Sequence, residues 1–484
     1  MQHRLDQARA ALRAQCPERA VALCQEILGA EPGEAEALEL LAAAWLALDQ
    51  PEAALEAAEA ARLVAPDRVD LITLTGRILA KLERYEDAAA LHEAALKLAP
   101  DRPDVITNLG VALFELDRFG PALELFRRAF KLAPQDARVV ANLGNFLDFA
   151  GTLDLSLAAY EAAASLSPED REIRSNHGMA LLRAGRLEAG WPLFESRRRL
   201  RDPIEDTGVP RLPAVDSVDL RGRRVLVFHE QGFGDSLQFL RYVPLLAERG
   251  AEVLLRLPPA LASLAAGTPG VARLLTEDEL PPADFWSPMM SLAMAFGTTL
   301  DTIPAQVPYL RPPAAALQRW QAALAPLARP RIGLVWAGSP RGGLDRRRSV
   351  RFDLLRPLFR HRAAFVSLQL GPAAAQWAPP PGAETLDPTA ALSDFAETAA
   401  LVAALDLVIT VDTSVAHVAG AVGTPVWVMS RFASCWRWLM RRDDSPWYPG
   451  LRLFRQARPG DWAELVARVD AALDHFCGSG QGDR

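Results

Sequence analysis

Residues 100–133 read PDRPDVITNLGVALFELDRFGPALELFRRAFKLA, and residues 134–167 follow the same pattern as PQDARVVANLGNFLDFAGTLDLSLAAYEAAASLS. Each segment has 34 residues, and three columns of the sequence keep that period. The columns are Pro32, Pro66, Pro100, Pro134 and Pro168; Ala20, Ala54, Ala88 and Ala122, continued by Ser156 and Gly190; and Ala8, Ala42, Gly76, Gly110, Gly144 and Gly178. A fixed period of this kind indicates stacked structural repeats.

The columns predict a unit of two helices joined by a turn. Small residues at two fixed positions let paired helices approach closely, and the proline separates successive units because it has no N–H to donate. Residues 117–119 are typical of the turn inside a unit, and Trp191 and Phe194 predict a core at the junction with the next domain. The pattern resembles the tetratricopeptide repeats over residues 1–204. Six such units imply an α-solenoid with a concave binding face.

One polar column follows the same period, namely Asn108, Asn142 and Asn176. An amide side chain both donates and accepts hydrogen bonds, so three amides in register would hold an extended peptide backbone whatever its sequence. The alternative is three helix-surface or inter-repeat asparagines. O-GlcNAc transferases carry a similar asparagine ladder at the matching repeat position, and this resemblance favours binding of an acceptor peptide.

The composition argues against several classes of protein. Half of the 484 residues are hydrophobic and 23% are charged, which suits folded domains with sizeable cores. The net charge of -7 gives no overall basic balance for binding nucleic acid. Without a signal-peptide pattern or a long apolar run, we expect a cytoplasmic protein with no membrane span. The four cysteines lack metal-ligand spacing, and we expect no metal site.

The periodicity changes after the last repeat. Residues 205–222 are rich in proline and acidic residues and predict a linker or wrapping segment. Apolar runs then predict strands at 224–228, 252–257, 331–336, 364–368, 407–411 and 425–429. A single helix is expected over 236–249, whereas 284–302 has no clear regular pattern. Strands alternating with helices predict parallel sheets in two blocks, at 223–315 and 328–476.

The first chemical motif, HEQGFGDS at residues 229–236, follows the first predicted strand. Gly232 and Gly234 would let the backbone approach a ligand, and a helix starting here would favour an anion. Asp235 would accept the proton of an acceptor hydroxyl. The alternatives are a tight turn for the glycines and, for the aspartate, a helix N-cap or an ordinary first-turn position.

The second motif is WAGSPR at residues 336–341, after the first strand of the second block. An unusual density of arginine follows, in Arg341, Arg346, Arg347, Arg348 and Arg351. Their mutual repulsion would be relieved by a phosphate or diphosphate. We expect Ser339 and the arginines at 341 and 346–348 to include the donor-phosphate ligands. The alternative is a solvated loop.

The third motif, DLVITVDTSVAH at residues 406–417, joins a buried strand to a helix. The strand ends at Asp412, and the helix begins with Thr413 and Ser414, whose hydroxyls and N–H groups suit a phosphate. His417 would face the same cleft and contact the donor, unless it is a structural histidine.

A fourth motif combines CWRW at residues 435–438 with SPWYP at 445–449. Its aromatic side chains and arginine would bracket a base or a sugar. They would equally cover the core where the C-terminal helix packs.

Together these motifs resemble the heptosyltransferase-like transferases of glycosyltransferase family 9. The Gly-Asp turn of that family, in which the aspartate is the base, matches Gly234 and Asp235. Its Asp-Thr-x-x-x-His segment, where a helix N-terminus holds the donor diphosphate, matches Asp412, Thr413 and His417. The resemblance implies a GT-B fold, in which two Rossmann-like lobes face a cleft. It also implies a nucleotide-sugar donor as substrate, with no metal or other cofactor.

Repeats followed by a GT-B domain are also the layout of O-GlcNAc and SPINDLY-type transferases and of bacterial flagellin glycosyltransferases. This resemblance implies transfer of a sugar, such as pseudaminic acid, to Ser or Thr hydroxyls of a protein held by the repeats, with flagellin as the expected acceptor. The Arg-rich, Lys-poor composition is compatible with a GC-rich bacterial source. Two alternatives stay open: a transferase acting on cell-envelope polysaccharide, or a non-catalytic repeat scaffold with a degenerate transferase domain.

Overall fold

A computed structural model describes residues 1–198, 202–339 and 343–479. The chain divides into two compact units, Met1–Ile173 and Arg174–Arg484. The first unit is helical, and the second combines a short helical segment with two mainly parallel sheets. Every helix among the described residues is too short or too polar to span a lipid bilayer.

The helices of the repeat region alternate with short turns at the predicted period. They are α1 (Gln2–Arg13), α2 (Pro17–Ala30), α3 (Ala35–Ala47), α4 (Pro51–Val64), α5 (Val69–Lys81), α6 (Tyr85–Leu98), α7 (Pro103–Glu115), α8 (Phe119–Leu132), α9 (Ala137–Phe149), α10 (Leu153–Leu166), α11 (Arg171–Arg183) and α12 (Leu187–Phe194). The division between the two units falls within α11.

The turns keep the period as well. Pro66 lies in the turn between α4 and α5, and Pro100 lies in the turn between α6 and α7, which confirms the predicted role of the proline column. Inside each hairpin, one turn residue has a left-handed backbone with φ between 57° and 79°. These residues are Gln15, Asp49, Glu83, Asp117, Gly151 and Gly185. The same short turn therefore reverses the chain in every hairpin.

The small-residue column makes room for a ring in the second helix of a hairpin. A Cβ on Gly76 would lie 2.5 Å from Cε1 of His92, and a Cβ on Gly110 would lie 2.9 Å from Cε1 of Phe126. Both rings are buried, so the paired helices pack closely only because a side chain is missing opposite the ring. Successive first helices, such as α5, α7 and α9, also contact each other and form the inner layer of the solenoid.

The second unit starts within α11 and includes α12. Trp191 and Phe194 are buried in the core that also holds the first sheet, which confirms their predicted place at the junction. Nε1 of Trp191 donates to the carbonyl of Thr298 (2.8 Å). Arg197 is buried too, and its guanidinium pairs with Glu230 (2.5 Å) and Glu195 (2.9 Å). The α12 segment is therefore packed into the α/β core.

The first lobe is a four-stranded parallel sheet in the order β3-β2-β1-β4. Its elements are β1 (Arg224–Phe228), α13 (Phe233–Phe239), α14 (Tyr242–Glu248), β2 (Glu252–Arg256), α15 (Pro259–Ala265), β3 (Val271–Leu275), β4 (Phe285–Pro288) and α16 (Leu292–Ala295). The apolar residues of β1 and β2 are buried on both faces, as expected for parallel strands.

The second lobe is a seven-stranded sheet in the order β10-β11-β9-β8-β5-β6-β7. Its elements are α17 (Ala314–Leu324), β5 (Arg331–Val335), α18 (Gly343–Arg348), β6 (Ala364–Ser367), β7 (Thr385–Leu386), α19 (Phe395–Ala403), β8 (Leu407–Val411), α20 (Ser414–Val422), β9 (Val426–Ser430), β10 (Asp444–Ser445), β11 (Tyr448–Arg455) and α21 (Trp462–Ser479). Among the described strands of this sheet, only β10 pairs antiparallel. β5, β8 and β9 are neighbours, so their carboxyl ends lie side by side.

All six predicted strands are present, each within one residue of its expected ends, but two other local predictions are wrong. The helix expected over 236–249 is divided into α13 and α14, because Pro244 has no N–H for a continuous helix. The stretch 284–302 contains regular structure, since β4 pairs with β1 and α16 follows it. Pairing with β1 stabilises β4 although its own sequence, FWSP, is a weak strand pattern.

Candidate functional site

The first turns of α13 and α20 pack against each other. α13 follows β1 in the first lobe and α20 follows β8 in the second, so each helix starts beyond the carboxyl end of a strand. A Cβ on Gly234 would lie 2.8 Å from Cδ2 of His417 and 3.5 Å from Cα of Ser414. The missing side chain of Gly234 thus allows the two lobes to meet. The first and third sequence motifs come together here, in the region where parallel α/β sheets bind ligands.

Asp235 lies at this junction with both carboxylate oxygens engaged. Oδ2 accepts a hydrogen bond from the N–H of Gly232 (2.9 Å), and Oδ1 pairs with the guanidinium of Arg437. The Asp235 and Arg437 side chains are only 14% and 11% exposed, respectively. Each carboxylate oxygen has two acceptor positions. Asp235 is therefore held in a fixed orientation, and its carboxylate can still accept a hydrogen bond from another group.

Arg437 follows β9 and reaches Asp235 from the opposite lobe. Burial by itself would lower the pKa of Arg437, but attraction to Asp235 and Cys435 outweighs it, and the pKa is raised. The guanidinium lies 4.5 Å from the ring centroid of Trp436, and Nη1 donates to Sγ of Cys435 (2.9 Å). Sequence reasoning noted Arg437 only as part of the fourth motif. No local spacing links it to a partner so distant in the chain.

The start of α20 offers backbone donors at the same junction. Thr413 is its N-cap residue, and no side chain among the described residues caps this helix. The hydroxyl of Thr413 contacts that of Thr410 (3.0 Å). Asp412, Thr413 and Ser414 are all half-buried. Uncapped N–H groups at a helix start attract anions.

His417 lies below this helix start and is 4% exposed. Nδ1 is 2.8 Å from the hydroxyl of Tyr448, and the ring stacks on Trp438 with centroids 5.3 Å apart. Burial, and then the positive charges of Arg437 and Arg241, lower the pKa of His417 well below its ordinary value. His417 is therefore neutral near pH 7, and its contact with a donor remains a prediction.

The loop after β5 is held by a buried glutamine that sequence reasoning missed. Oε1 of Gln369 accepts from the N–H groups of Trp336 (3.0 Å) and Ala337 (2.8 Å), and Nε2 donates to the carbonyl of Ala337 (3.1 Å). Further along, the N–H of Gly338 donates to Ser349 Oγ (3.1 Å). Ser339, a predicted donor ligand, follows this fixed segment and is exposed.

The arginine run lies at the end of α18. Arg348 Nη1 donates to the backbone carbonyl of Asp412 (3.4 Å), which brings the second motif to the third. Arg347 and Arg348 are half-buried, whereas Arg346 is exposed. Arg341 falls outside the described residues.

Arg431, the residue after β9, also lies at this edge of the sheet. Burial lowers its pKa; Asp412 and Cys435 oppose the shift, and the positive charges of Arg183 and Arg347 add to it. Sequence reasoning missed Arg431, since it stands alone in its own segment. The only signal available was the position of Arg431 directly after a buried strand.

The fourth motif belongs to the core. Trp436, Trp438, Trp447 and Tyr448 are all buried, with Trp438 and Trp447 fully so. Of the two interpretations left open by the sequence, packing is the one that the burial supports. The motif still contributes Arg437, whose guanidinium contacts Asp235.

The asparagines occupy equivalent positions on the first helices of their hairpins. Asn108 on α7 and Asn142 on α9 are half-buried, and these helices contact each other within the first unit. Nδ2 of Asn142 donates to the carbonyl of Arg138 one turn earlier (2.9 Å). Asn176 is half-buried on α11 and belongs to the second unit. Peptide binding by these amides stays a prediction.

Comparison with protein families separates the two halves of the chain. Tetratricopeptide-repeat models match residues 79–147 and 142–196. The N-terminal part is a tetratricopeptide-repeat solenoid. The model of glycosyltransferase family 9 (heptosyltransferase) matches residues 389–429, from just before α19 to near the end of β9. That stretch includes Asp412, Thr413, Ser414 and His417.

A curated relative covers a larger part of the chain. Protein FlbA of Caulobacter vibrioides is 29% identical over 325 residues, which make up 60% of this chain and 53% of FlbA. The chain thus spans about half the length of this relative.

Solved structures also match part of the chain. A thermophilic protein of Thermus thermophilus is 22% identical, with 37% of this chain and 98% of that chain covered and a TM-score of 0.35. PilF of Pseudomonas aeruginosa is 20% identical, with 40% and 85% covered and a TM-score of 0.32.

Proposed function

We propose that this protein is a metal-independent glycosyltransferase that moves a sugar from a nucleotide-sugar donor to Ser or Thr hydroxyls of a protein acceptor. The observation that carries the proposal is the meeting of α13 and α20. One helix start holds the oriented carboxylate of Asp235, and the other offers uncapped N–H groups beside Arg348 and Arg431. A base and an anion site on opposite lobes are what transfer between two substrates requires.

The proposed reaction follows from this placement. The acceptor oxygen attacks the anomeric carbon of the donor sugar, and its proton passes to the carboxylate of Asp235. The bond between the anomeric carbon and the phosphate oxygen breaks, and its electron pair leaves with the nucleotide. The N–H groups at Thr413 and Ser414, together with the arginines, would stabilise the charge that develops on the phosphate.

The acceptor side of the proposal rests on the repeats. Asn108 and Asn142 lie at matching positions of the inner helices, where amides would bind the backbone of an extended segment. We propose flagellin as the acceptor and a nonulosonic acid, such as pseudaminic acid, as the sugar. This choice is based on the resemblance of the domain layout to bacterial flagellin glycosyltransferases.

The test is the intact mass of flagellin that is co-expressed with this protein and a nonulosonic-acid pathway. We expect a mass increase of one or more sugar residues with the wild-type chain. Asp235→Asn should reduce the initial rate of transfer by about 10²- to 10⁴-fold, because loss of a general base has an effect of that size.

A matched control is Asp278→Asn, which changes an exposed aspartate in the same lobe. It should transfer at the wild-type rate. Full activity of Asp235→Asn would refute the role of the base. Absence of any mass shift with the wild-type chain would argue against flagellin as the acceptor. A measurement of nucleotide binding would then distinguish a transferase with a different acceptor from an inactive transferase domain.

A further inference from the structure

A buried tyrosine from the second lobe contacts the imidazole of His417. Tyr448, the first residue of β11, is 1% exposed, and its hydroxyl lies 2.8 Å from Nδ1 of His417. A Cβ on Gly420 would lie 2.3 Å from Cδ1 of Tyr448, so the phenol ring packs directly against the backbone of α20, one turn beyond His417. Gly420 thus leaves the space through which the tyrosine reaches the histidine.

The hydrogen bonds around Tyr448 show which of the two partners donates. Tyr309 donates its own proton to the carbonyl of Leu237 (2.9 Å) and accepts from Nη2 of Arg241 (3.1 Å). The hydroxyls of Tyr309 and Tyr448 are 3.4 Å apart, which is longer than the roughly 3.0 Å limit of ordinary O–H···O hydrogen bonds. Nδ1 of His417, at 2.8 Å, is therefore the acceptor for the proton of Tyr448.

The charge states of the two rings agree with this direction. Burial raises the pKa of Tyr448 well above its ordinary value, so the phenol keeps its proton near pH 7. His417 is neutral at that pH, because burial and the positive charges of Arg437 and Arg241 lower its pKa. A neutral imidazole carries one ring proton. Since Nδ1 accepts from Tyr448, that proton is on Nε2.

Nε2 of His417 lies where the two helix starts meet. A Cβ on Gly234 would be 3.4 Å from this nitrogen and 3.5 Å from Cα of Ser414. The imidazole stacks on the ring of Trp438 with 16° between the planes, which hinders its rotation. Among the described residues, Tyr448 is the hydrogen-bond partner of this imidazole, and none bonds to Nε2. The Nε2 proton is thus available to a ligand at the start of α20.

We propose that Tyr448 is a positioning residue that fixes His417 as the tautomer with its proton on Nε2, so that a neutral imidazole donates a hydrogen bond to the phosphate of the nucleotide-sugar donor. This inference rests on the proposed function and adds a residue that acts on the donor site through another. The opposite tautomer would turn the lone pair of Nε2 toward the phosphate and repel it.

The first test is the ¹⁵N NMR spectrum of the full chain labelled with ¹⁵N-histidine. The chain has seven histidines, and His417→Asn identifies the signals of this ring by their loss. In the wild type we expect the shift of a protonated nitrogen at Nε2 and of an unprotonated nitrogen at Nδ1. Tyr448→Phe keeps the ring packed on Gly420 but has no proton to donate, so part of the His417 population should carry its proton on Nδ1.

The second test is titration calorimetry with UDP, GDP, CMP and inorganic pyrophosphate as probes. We expect the wild type to bind at least one nucleotide, and Tyr448→Phe to bind it about three- to tenfold more weakly, because some molecules no longer offer the Nε2 donor.

The matched control is Tyr309→Phe, which removes a hydroxyl from the same cluster without removing the partner of His417. It should leave both the His417 spectrum and the nucleotide affinity as in the wild type. Because each variant loses one hydroxyl with buried partners, a similar fall in unfolding midpoint is expected for both. A loss of affinity confined to Tyr448→Phe therefore cannot be ascribed to lowered stability.

The outcomes separate this inference from the proposed function. A wild-type proton on Nδ1, or unchanged tautomer and affinity in Tyr448→Phe, would overturn the role of Tyr448 and leave the transferase proposal standing. A changed tautomer with unchanged affinity would overturn the contact with phosphate. No nucleotide binding by the wild type, with no sugar transfer to flagellin, would overturn both proposals.

If Tyr448→Phe does not fold, the wild-type spectrum decides. A protonated Nε2 whose signal moves when the nucleotide is added supports the proposal. A signal that stays in place at saturating nucleotide overturns it.

Discussion

Glycine permits a different kind of close contact in each half of this molecule. In the repeats, Gly110 makes room for Phe126, a ring in the other helix of the same hairpin. In the α/β unit, Gly234 makes room for His417, a ring from the other lobe. The first contact is local and repeats along the chain, whereas the second joins distant segments at the candidate site. A substitution in the repeats should therefore affect the packing of one hairpin, whereas a substitution at the junction should affect both stability and ligand binding at the candidate site.

The largest difference between the two halves is expected when one partner of an ion pair is removed. Arg437→Met removes the partner of the nearly buried Asp235 carboxylate and should cost about 3 kcal/mol of unfolding free energy in the α/β unit. Arg102→Met removes the exposed pairs with Asp70 and Asp104 in the repeats and should cost less than about 1 kcal/mol.

Urea unfolding measures both variants. Tryptophan fluorescence reports the α/β unit, because ten of the eleven tryptophans follow residue 173, and far-UV circular dichroism follows the helices. Equal losses of unfolding free energy in the two variants would contradict the expected difference between the buried pair and the exposed pairs.

Acidification should destabilise the repeats by protonating the buried ring of His92. Burial, aided by the positive charge of Arg77, lowers the pKa of His92 to about 4. Since the unfolded chain binds the proton more tightly, the stabilising effect of neutral His92 is complete above about pH 6.5 and is lost as the pH falls toward 4, by about 2 to 3 kcal/mol.

His92→Phe tests this expectation by using the ring type found one repeat later, at Phe126. Urea unfolding at pH 7 and pH 4.5, followed by circular dichroism, should show a smaller loss on acidification for the variant. An identical loss would assign the acid sensitivity to other groups.

Single methyl groups sharpen the contrast further. Gly110→Ala and Gly234→Ala each place a Cβ under 3.0 Å from a ring atom and should each cost about 1 to 3 kcal/mol. Only Gly234→Ala should also weaken nucleotide binding in calorimetry, because its contact lies between the two helix starts. Weaker binding in Gly110→Ala as well would show that the repeats and the site are coupled.

The smallest effect should be favourable. Gly120 is the second residue of α8, and apart from its chain neighbours and the backbone of its own helix no atom lies within 4 Å of a Cβ built on it. Gly120→Ala should stabilise the repeats by about 0.5 kcal/mol, since alanine has less backbone freedom to lose. A loss of stability in the same unfolding experiment would mean that open space alone does not predict tolerance in these helices.

The sequence predicts structural features that recur with the repeat period or that lie within one segment of the chain. Proline and glycine columns predict the hairpins, and buried apolar runs predict β1 and β8 to the residue. It does not predict β11, because Pro449 and Gly450 interrupt the strand pattern. The division of the helix expected over 236–249 into α13 and α14 is indicated in the sequence by Pro244 alone.

At the site, the motifs predict the two helix starts but not their partners. Asp235 and Thr413 stand at strand ends, where a parallel sheet places ligand-binding loops. Arg437, Arg431 and Gln369 act through tertiary contacts with residues far along the chain. A single sequence carries no record of such pairs, so the structure was needed to find them.

The buried pair of Arg197 and Glu230 has a consequence for how such proteins could arise by recombination. A gene fusion that exchanged the two α/β lobes at residue 205 would leave Glu230 without its cation and uncover the ring of Trp436. A crossover ahead of α11 would carry the hairpin along and keep both intact. The inheritable cassette is therefore the two lobes together with one repeat, and different arrays of repeats could be exchanged in front of it.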